Sequence, residues 1–436
     1  MLQNKLKMTL DYEELSNCMR CGFCQPACPT FRETGFEGAS PRGRIALMKA
    51  TVDGIYEPDQ DFIDQMNLCL GCRACEPACP AGVHYGQLIE QAREAIEDHA
   101  KETNKYPAWI RFIRTTAFKH VFPHQKRLYK LGKLLRFYQK SGIGKIVRGT
   151  GIMKILPKHM AEMEEILPEA TNVGLVELLG THVPAKGKTK VKVGMFHGCI
   201  MDVLFHGTNV NTVELLTHAG CEVLIPADQN CCGALHAHSG ERAIARELAK
   251  KNIKVFKDAD VDLIISNGGG CGAMLQEYDH LLKDDPEWKE DSKWFAKRVR
   301  DISDVLVELS ENLEWKPLNK RITYQDSCHL RNGMKVITPP RQLLQSIPDA
   351  KFVELFEADR CCGSAGIYNV VQPEMSGQIL EEKMEHVEQT QADILVTANP
   401  GCLLQMKLGI HRAGLEGKME AVHIVDLLAQ QLVKKQ

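Results

Sequence analysis

Apolar residues recur every three or four positions through much of the first hundred residues. This spacing places them on one side of a helix and is typical of a helix that buries one face. It predicts helices over residues 41–54, 59–68 and 87–99. The apolar residues that define these helices are Ile45, Leu47 and Met48; Phe62, Ile63 and Met66; and Leu88, Ile89, Ala92, Ala95 and Ile96. The N-terminal part of the chain is therefore expected to be helical.

The pattern changes from about residue 186 onward, where short strand-like runs alternate with helical segments. The runs form two sets of three: 191–196, 222–225 and 261–266, and then 321–324, 351–355 and 393–397. Strands that alternate with helices along a chain are typical of a parallel sheet. We therefore expect two α/β units in the C-terminal part.

A basic, aromatic segment lies between these two parts. Residues 101–160 hold fifteen Lys and Arg and a single acid, Glu102, so this segment carries +14 and the rest of the chain −16. Such asymmetry indicates an interaction partner. Within it, Leu128, Leu131, Leu135 and Tyr138 follow helical spacing between basic residues, and the aromatic residues are Trp109, Phe112, Phe118, Phe122 and Phe137.

Two interpretations of this segment remain open. A basic amphipathic helix with aromatic residues is typical of a helix that docks on an anionic membrane. The other interpretation packs the apolar stripe on the chain's own domains, with the basic face toward acidic surface here or on a partner subunit. The second is favoured, because an apolar stripe of helical period usually belongs to a protein core.

Composition excludes several classes of protein. The chain has 436 residues, 44% hydrophobic and 25% charged, which is ordinary globular composition and suggests about three domains. A net charge of −2 gives no overall reason to expect nucleic acid as a partner. The N-terminus has no apolar signal segment, and no stretch approaches the ~18 apolar residues of a membrane-spanning helix. A soluble cytoplasmic chain is expected, with peripheral attachment to the inner face of the cell membrane left open.

The seventeen cysteines indicate metal ligation, because a cytosol keeps thiols reduced. Two stretches spell C-x2-C-x2-C-x3-C-P. We name them the first cysteine run, Cys18, Cys21, Cys24 and Cys28, and the second cysteine run, Cys69, Cys72, Cys75 and Cys79. This cysteine spacing is typical of [4Fe-4S] ferredoxins. A pair of structural zinc sites is the alternative, but zinc sites usually combine two separated C-x2-C pairs.

Each cubane cluster needs a fourth thiolate from outside its three-cysteine loop. In two-cluster ferredoxins that ligand comes from the other run. We therefore assign one [4Fe-4S] cluster to Cys18, Cys21, Cys24 and Cys79, and a second to Cys69, Cys72, Cys75 and Cys28. Crossed ligation holds two clusters close together, as an electron relay requires.

Eight further cysteines belong to an internal duplication. We name Cys199, Cys231, Cys232 and Cys271 the first cysteine-rich unit, and Cys328, Cys361, Cys362 and Cys402 the second cysteine-rich unit. Equivalent cysteines are separated by 129, 130 and 131 residues (328−199, 361−231 and 402−271). So small a drift means that one site architecture was built twice. Cys221 has no equivalent and is interpreted as a buried or idle thiol.

Every cysteine of the two units follows a strand candidate. Sites in parallel sheets form beyond the carboxyl ends of strands, so these cysteines are expected to converge. Gly233 and Gly363 allow a sharp turn beneath each adjacent cysteine pair. Residues 267–273 also fit a loose G-x-G-x-x-A loop, but the cysteine inside that loop argues against nucleotide binding. Four histidines near the cysteines could tune a cluster or relay protons, although hydrogen-bonded loop histidines are the simpler interpretation: His197, His236, His238 and His329.

The expected architecture is therefore α+β and multidomain. It consists of a helical two-cluster ferredoxin module at 1–100, a basic, aromatic helical linker at 101–185, and two duplicated α/β cysteine-rich domains at 186–315 and 316–436.

The chain has two ferredoxin-type cysteine runs, followed by two cysteine-rich units that each contain the sequence Cys-Cys-Gly. In this combination it resembles a group of iron-sulfur subunits that contain both modules. The group includes the iron-sulfur subunits of glycolate oxidase and of anaerobic glycerol-3-phosphate dehydrogenase, a lactate-utilisation protein, and heterodisulfide reductase subunits. Within it, residues 40–50 (SPRGRIALMKA), 79–90 (CPAGVHYGQLIE) and 361–376 (CCGSAGIYNVVQPEMS) are most similar to the glycolate oxidase subunit.

This resemblance implies an electron-transfer subunit of a flavin-dependent 2-hydroxyacid dehydrogenase. A separate FAD subunit would oxidise glycolate to glyoxylate, and this chain would pass the electrons toward a membrane quinone or another acceptor. The sequence has no recognisable flavin or substrate site, so no catalytic residue is assigned and the chain is not expected to be catalytic alone. The two cysteine-rich units are expected to hold a further iron-sulfur cluster or zinc.

The alternatives are a lactate or glycerol-3-phosphate dehydrogenase subunit, or a heterodisulfide-reductase-like catalytic subunit. The resemblance to heterodisulfide reductases implies a C-x-x-C ending in each unit and five cysteines for a noncubane cluster. Here Met274 and Gln405 stand in place of the fifth cysteine. Their presence favours the electron-transfer interpretation.

Overall fold

The structure is a computed structural model, and it describes residues 1–144, 147, 150 and 158–434. The N-terminal module is built from helices and turns. Its helices are α1 (Leu2–Thr9), α2 (Tyr12–Ser16), α3 (Cys24–Ala27), α4 (Pro29–Thr34), α5 (Pro41–Val52), α6 (Gln60–Leu68) and α7 (Tyr85–Glu102), with a 3-10 turn at Glu37–Ala39. The three helices predicted from periodicity are α5, α6 and α7.

Local signals explain where two of these helices begin. The Ser40 hydroxyl accepts a hydrogen bond from the Gly43 N–H (3.0 Å), and Pro41 occupies the first turn of α5. Asp59 caps α6 by accepting from the Phe62 N–H (3.0 Å). The buried faces of α1, α5, α6 and α7 then share one core, which includes Leu6, Met48, Phe62, Met66 and Leu88.

The linker at 101–185 contacts both α/β domains: the Tyr129 hydroxyl donates to Asp202 of the first domain, and Arg412 of the second domain donates to Glu162 (2.6 Å). It contains α8 (Ala108–Arg114), a π-helical stretch (Thr115–Val121), α9 (Gln125–Lys140), α10 (Lys158–Ile166) and α11 (Leu175–Leu179). Residues 145, 146, 148, 149 and 151–157 of this segment lie outside the described residues.

Helix α9 packs part of its apolar stripe on the rest of the chain and leaves other apolar side chains exposed. Leu128 is buried and Leu135 and Tyr138 are half-buried, so part of the stripe packs on the chain's own domains. Leu131, Leu134 and Phe137, in contrast, are 48%, 65% and 61% exposed. The expectation that the whole stripe would be internal is therefore only partly met.

The first α/β domain contains a five-stranded sheet in the order β1-β3-β2-β4-β5. The strands are β1 (His182–Val183), β2 (Val191–Met195), β3 (Cys221–Leu224), β4 (Leu263–Ser266) and β5 (Val299–Asp301). Its helices are α12 (Ile200–Leu204), α13 (His206–Ala219), α14 (Ala234–His238), α15 (Arg242–Asp258), α16 (Gly269–Gln276), α17 (Tyr278–Leu281), α18 (Lys289–Ala296) and α19 (Ile302–Glu308), followed by a 3-10 turn at Ser310–Asn312. All pairings are parallel except that of β1 with β3.

The second α/β domain contains a four-stranded, fully parallel sheet in the order β7-β6-β8-β9. The strands are β6 (Arg321–Gln325), β7 (Lys351–Phe352), β8 (Ile394–Thr397) and β9 (Glu420–His423). Its helices are α20 (Thr338–Gln345), α21 (Tyr368–Val371), α22 (Pro373–Thr390), α23 (Pro400–Arg412) and α24 (Ile424–Gln431), with a π-helical turn at His329–Gly333.

The two sheets share one hydrophobic core, and the helical module contacts both domains. Val193, Phe256, Ile322 and Tyr324 belong to the same buried cluster. Ion pairs fasten the module: Arg242 to Glu94 (2.7 Å) and Arg73 to Glu277 on the first domain, and Arg32 to Glu357 (2.9 Å) on the second. Cys72 of the helical module and Cys328 and Cys361 of the second domain are thereby brought into one buried cluster.

Candidate iron-sulfur sites

The first cysteine run forms a loop that opens to the surface. Arg20 and Gly22 have positive φ values of 56° and 91°, which lets the chain wrap tightly between its cysteines. A small cavity of about 30 Å³ is lined by Cys18, Cys21 and Cys24 together with Cys79 and Cys75 of the second run. The structure thus brings Cys79 to the three cysteines of the other run. Cys21 is exposed.

The second cysteine run is buried, and Cys28 of the first run lies with it. The Cys69 thiol accepts a hydrogen bond from the Gly71 N–H (3.3 Å) and another from the Tyr85 hydroxyl (3.6 Å). Burial raises the pKa of the Cys75 thiol, and nearby Cys69 and Cys28 raise it further. Cys28 and Cys24 of the first run thus both lie near the buried Cys75 thiol.

A buried arginine supplies positive charge to this group. Arg44 is fully buried and donates from Nε to the Gln65 carbonyl oxygen (2.7 Å) and from Nη2 to the Thr30 hydroxyl (3.2 Å). Burial by itself lowers the pKa of Arg44, but the nearby Tyr85 hydroxyl and the Cys69 and Cys28 thiols outweigh this effect and raise the pKa above its ordinary value. Arg44 also helps to lower the pKa of the buried Cys69 thiol. The pocket is therefore prepared for anionic sulfur.

Cys72 faces the second cysteine-rich unit. The neighbouring Cys361 thiol and burial raise the pKa of Cys72, and both cysteines belong to one buried cluster with Leu70, Cys328 and Tyr368. Two hydrogen bonds hold this contact: the Asn332 amide donates to the Cys72 carbonyl oxygen (3.0 Å), and the Tyr368 hydroxyl donates to the Leu68 carbonyl oxygen (2.9 Å).

The four thiols of the first cysteine-rich unit lie in a connected row. The sulfur atoms of Cys199 and Cys231 are 3.5 Å apart, and hydrogen-bonding contacts continue from Cys231 to Cys232 and from Cys232 to Cys271. Gly233 adopts φ 88° and donates its N–H to the Cys231 sulfur (3.4 Å). This positive φ is the turn that the sequence predicted beneath the cysteine pair.

The second cysteine-rich unit repeats this arrangement. Cys361 contacts Cys328 and Cys362, and Cys362 contacts Cys402. The Asn399 amide donates to the Cys402 sulfur (3.6 Å), and Gly363 adopts φ 87°. A buried cation lies nearby: Lys383 donates to the Glu357 carbonyl oxygen (2.6 Å), and burial lowers the pKa of Lys383 to about 8 against the opposing effect of Cys362 and Cys361.

The donor sets fit iron-sulfur clusters in their chemistry. Every cysteine of the four sets is a free thiol, and thiolate-only sites select Fe-S clusters or zinc over harder metals. N–H groups of Gly71 and Gly233 donate to the sulfur atoms, as the surroundings of a cluster require. Among the described residues, no group of three or more His, Cys, Asp or Glu side chains is already spaced to hold a metal ion. The assignment rests on donor chemistry and convergence.

The histidines have separate surroundings. His197 lies 3.3 Å from Asp202, and the imidazole Nε2 of His236 lies 2.9 Å from the Phe118 carbonyl oxygen. His238 pairs with Glu90 (2.8 Å) and lies against His329, whose Nδ1 is 3.5 Å from the Cys328 sulfur. His329 is thus the histidine in contact with a candidate ligand. Cys221 lies buried in β3, opposite Val191 of β2.

The loose glycine motif at 267–273 has no room for a nucleotide phosphate. A Cβ placed on Gly269 would lie 2.7 Å from the Leu330 Cβ, so the second domain fills the space above this glycine. The Gly270 N–H donates to the Asn399 side-chain oxygen (3.0 Å). Packing between the two domains explains these glycines.

Sequence reasoning assigned no role to Arg44, Lys383, Asn399 or Tyr368. For Arg44 and Lys383 a signal exists, since each charged residue falls on the buried face of an amphipathic helix, α5 or α22. Asn399 and Tyr368 act through contacts with residues far away in the sequence, and these contacts have no local pattern.

Comparisons with known proteins agree with the three-part organisation. Three family models match: a 4Fe-4S dicluster domain at residues 14–83, the linker region of glycolate oxidase iron-sulfur subunits at 109–167, and a cysteine-rich domain at both 193–276 and 322–407. No helix of the described part of the chain is long and apolar enough to cross a membrane.

Curated relatives cover nearly the whole chain. A probable glycolate oxidase iron-sulfur subunit of Bacillus subtilis (strain 168) is 52% identical over 98% of this chain and 96% of its own length. The glycolate oxidase iron-sulfur subunit of Escherichia coli (strain K12) is 27% identical over 97% and 95%, respectively. Lactate utilization protein A of Oceanobacillus iheyensis is 36% identical, but over 55% of this chain and 96% of its own length.

Proposed function

Because the chain belongs to the family of glycolate oxidase iron-sulfur subunits, we propose that it carries electrons from a separate FAD-containing subunit toward a quinone or another acceptor. That partner would oxidise glycolate to glyoxylate. The observation that carries the proposal is the contact between Cys72 and Cys361. It makes the second cysteine run continuous with the second cysteine-rich unit, as a relay of electrons requires.

The ligand sets follow from the grouping of the thiols. Cys18, Cys21, Cys24 and Cys79 would hold one [4Fe-4S] cluster, and Cys69, Cys72, Cys75 and Cys28 a second. The cysteines of the first and second cysteine-rich units would hold a further cluster or zinc. Bound clusters supply one-electron carriers. The chain's own contribution is the buried charge of Arg44, the N–H donors to sulfur, and the burial of Cys28, of the second cysteine run up to Cys75, and of every cysteine of the two cysteine-rich units except Cys271.

The exposed side of the first cysteine run is suited to receive the FAD-containing partner. Cys21 reaches the surface, and three large apolar side chains around it are exposed: Met19 (66%), Phe23 (66%) and Phe36 (58%). An apolar patch beside an accessible cluster ligand would let a partner bury this surface and come within reach of the cluster. Electrons would then enter here and continue inward.

The exposed face of α9 supports attachment to a membrane surface. Leu131, Leu134 and Phe137 project among exposed Lys130 and Lys133. A helix with such a face lies in the interface of an anionic bilayer, and each Lys or Arg near that surface contributes roughly 1 kcal/mol. Peripheral attachment would bring the chain close to membrane quinone.

The test uses the chain purified without oxygen, alone and together with the FAD-containing subunit. The chain alone should not oxidise glycolate, because hydride must reach an organic cofactor before single electrons enter clusters. With the partner, glycolate should reduce the flavin and then bleach the iron-sulfur absorbance. Turnover by the pure chain without detectable flavin would refute the proposal.

A double variant tests the path within the chain. Changing Cys361 and Cys362 to Ser should stop electron delivery to the acceptor while glycolate still reduces the flavin. Cys221→Ser is the matched control, since this buried cysteine belongs to none of the four sets. If the double variant passes electrons at the wild-type rate and the unit contains zinc or no metal, the relay ends at the helical module.

A second candidate function, disulfide reduction at the second cysteine-rich unit, has one observation in its favour. Cys72 brings a fifth thiol beside Cys361. Within the unit itself, the position of a fifth cysteine is held by Gln405, whose amide is engaged by Ser376 (3.0 Å) and Asn369 (3.1 Å). Cys72→Ser distinguishes the two functions: loss of the cluster of the second run favours the relay, and loss confined to the second unit favours the reductase.

A further inference from the structure

A cavity of about 240 Å³ lies where all three parts of the chain meet. The second cysteine run contributes Cys69 and Leu70, helix α14 of the first domain contributes Leu235, and α21 and the turn before it in the second domain contribute Ile367 and Tyr368. The ligand sets, the partner patch and the membrane face described above leave this cavity unused. Its size suits a single aromatic ring system with the first part of a side chain.

Two properties of the wall point to the chemistry of the occupant. Leu70, Leu235, Ile367 and Val371 form an apolar part that can hold the faces of a flat ring. Cys69, a candidate cluster ligand, forms part of the same wall. A molecule bound here would contact the second cysteine run at Cys69 and, at Ile367 and Tyr368, the segment that follows Cys361 and Cys362 of the second cysteine-rich unit, so the relay through both can deliver electrons to it.

The polar part of the wall carries groups that are held by their own partners: His238 Nδ1 pairs with Glu90 (2.8 Å), and the Tyr106 hydroxyl donates to Glu97 (3.1 Å). His238 and Tyr106 line the cavity, and so does Arg114, whose Nε is buried and has no hydrogen-bond partner among the described residues. The other end of the Arg114 guanidinium is fixed by Glu97 (2.8 Å) and by the Ser239 carbonyl oxygen (3.2 Å). The Arg114 guanidinium thus sets a positive charge beside the apolar part of the wall, which suits a ring that carries polar acceptors such as carbonyls.

We propose that this cavity binds the ring of a quinone and is the place where electrons leave the chain. The inference rests on the proposed function and names the site of its acceptor. Each quinone takes two electrons, which come one at a time from substrate oxidation in the partner, and two protons from water along the His238 and Tyr106 side. Both ring carbonyls become hydroxyls, and the quinol leaves.

The surroundings of the cavity agree with a ligand that comes from a membrane. Arg114 is the last residue of α8, and the same short helix carries Trp109 (64% exposed), Phe112 (72%) and Ile113 (55%). An exposed aromatic helix beside the cavity can lie in the bilayer interface while the long tail of a quinone stays in the lipid. Val371, which is 59% exposed, lies at the opening.

The experiment measures binding, so it does not depend on turnover. The full chain, purified without oxygen, is titrated with ubiquinone-1 by equilibrium dialysis, and an azido derivative of the same quinone is then photolysed and mapped by peptide mass spectrometry. Saturable binding is expected, with labelling in residues 365–372 or 235–239. Leu235→Trp and Val371→Trp fill the cavity from opposite sides and should each weaken binding about tenfold or more. Leu178→Trp, at a 54% exposed leucine of α11, is the matched control and should leave binding unchanged.

The outcomes separate this inference from the proposed function. Absence of saturable binding, labelling elsewhere in the chain, or wild-type affinity in both cavity-filling variants overturns the quinone site. Iron content and circular dichroism show whether each variant is folded, and the two variants fill the cavity from different domains, so misfolding of one leaves the other decisive. If reduced FAD-containing partner still reduces the chain's iron-sulfur absorbance while quinone does not bind, the relay stands and this site falls. If the partner fails to reduce the chain, the proposed function falls whether or not quinone binds.

Discussion

Removing one buried carboxylate should change how the stability of the first α/β domain depends on pH. Asp301 ends β5 and caps α19, and it is 1% exposed. Its Oδ1 accepts from the Ser303 N–H (2.8 Å) and from the Ser303 hydroxyl, while Oδ2 is buried without a hydrogen-bond partner among the described residues. Burial raises the pKa of Asp301 from 3.8 to about 7; the Ser303 bonds oppose the rise, and Asp304 adds to it.

The sign and size follow from proton linkage. Between pH 4 and pH 7 the folded chain keeps a proton on Asp301 that the unfolded chain has lost, so stability falls as pH rises through this window. The full difference in pKa corresponds to about 4 kcal/mol, of which ~3 kcal/mol is lost between pH 5 and pH 8. Asp301→Asn keeps the oxygen that accepts from Ser303 and carries no charge. The stability of the variant relative to wild type should therefore increase by ~3 kcal/mol over the same interval.

Thermal unfolding followed by circular dichroism, without oxygen and at constant ionic strength, measures this effect at pH 5, 6, 7 and 8. Each kcal/mol corresponds to roughly 2–4 °C in Tm for a domain of 150–250 residues, so the Tm difference should grow by several degrees. Asp284→Asn makes the same chemical change at an exposed position and is the control. If the Tm profile of Asp301→Asn runs parallel to those of wild type and the control, the buried carboxylate does not titrate as argued.

Three further changes test the helical module. Gly43→Ala should destabilise the module by more than ~2 kcal/mol, because the new Cβ would lie 2.0 Å from the Glu37 carbonyl oxygen. Gly207→Ala is the control: it lies at a helix position with open space and should be neutral or stabilising in the same unfolding assay. Arg44→Met should lower the reduction potential of the cluster proposed for the second cysteine run, because it removes a buried positive charge, and Arg44→Lys should restore part of that potential. An unchanged potential in an EPR-monitored titration would contradict the role of the Arg44 charge. Cys28→Ser should damage that same cluster, and spectroscopic loss confined to the first run's cluster would refute crossed ligation.

Periodic and spaced features of this chain could be read from the sequence because their causes are local. Helices α5, α6 and α7 each bury one face, so their apolar residues recur at helical spacing. The spacing of the cysteines predicts tight loops. The positive φ values of Gly233 and Gly363 follow from the turn that two adjacent cysteines need. Six strands were found for the same reason: five of them are short, largely apolar and central in a sheet, and the sixth, β7, is an edge strand of two residues.

Three of the four strands at the sheet edges were not predicted. β1, β5 and β9 have two to four residues, and their sequences, HV, VRD and EAVH, contain charged or polar residues. An edge strand has a neighbour on one side and faces water on the other, so it needs neither a long apolar run nor strict alternation. Their positions are fixed by pairing with strands that are distant in the sequence.

The duplication made the two cysteine-rich units look equivalent, and the fold makes them different. In the second unit, Cys361 contacts Cys72 of the helical module, through packing between residues almost three hundred positions apart. A second difference lies at Asn399, which aligns with Gly268 in the first unit when Cys402 is matched to Cys271. Asn399 has a side chain where Gly268 has none, and this side chain donates to the Cys402 sulfur (3.6 Å) while accepting from the Gly270 N–H (3.0 Å).

These two contacts give the units different electrostatic surroundings for the same four ligands. The second unit has a buried lysine, a thiol of the ferredoxin module and a hydrogen bond to Cys402 from a residue that also reaches the loop of Cys271. Hydrogen bonds to sulfur and nearby charge set the reduction potential of an iron-sulfur site, so two identical ligand sets placed in these surroundings would not share a potential. A relay needs such a difference in order to have a direction. Duplication followed by asymmetric packing against the helical module supplies it without any change in the cysteines.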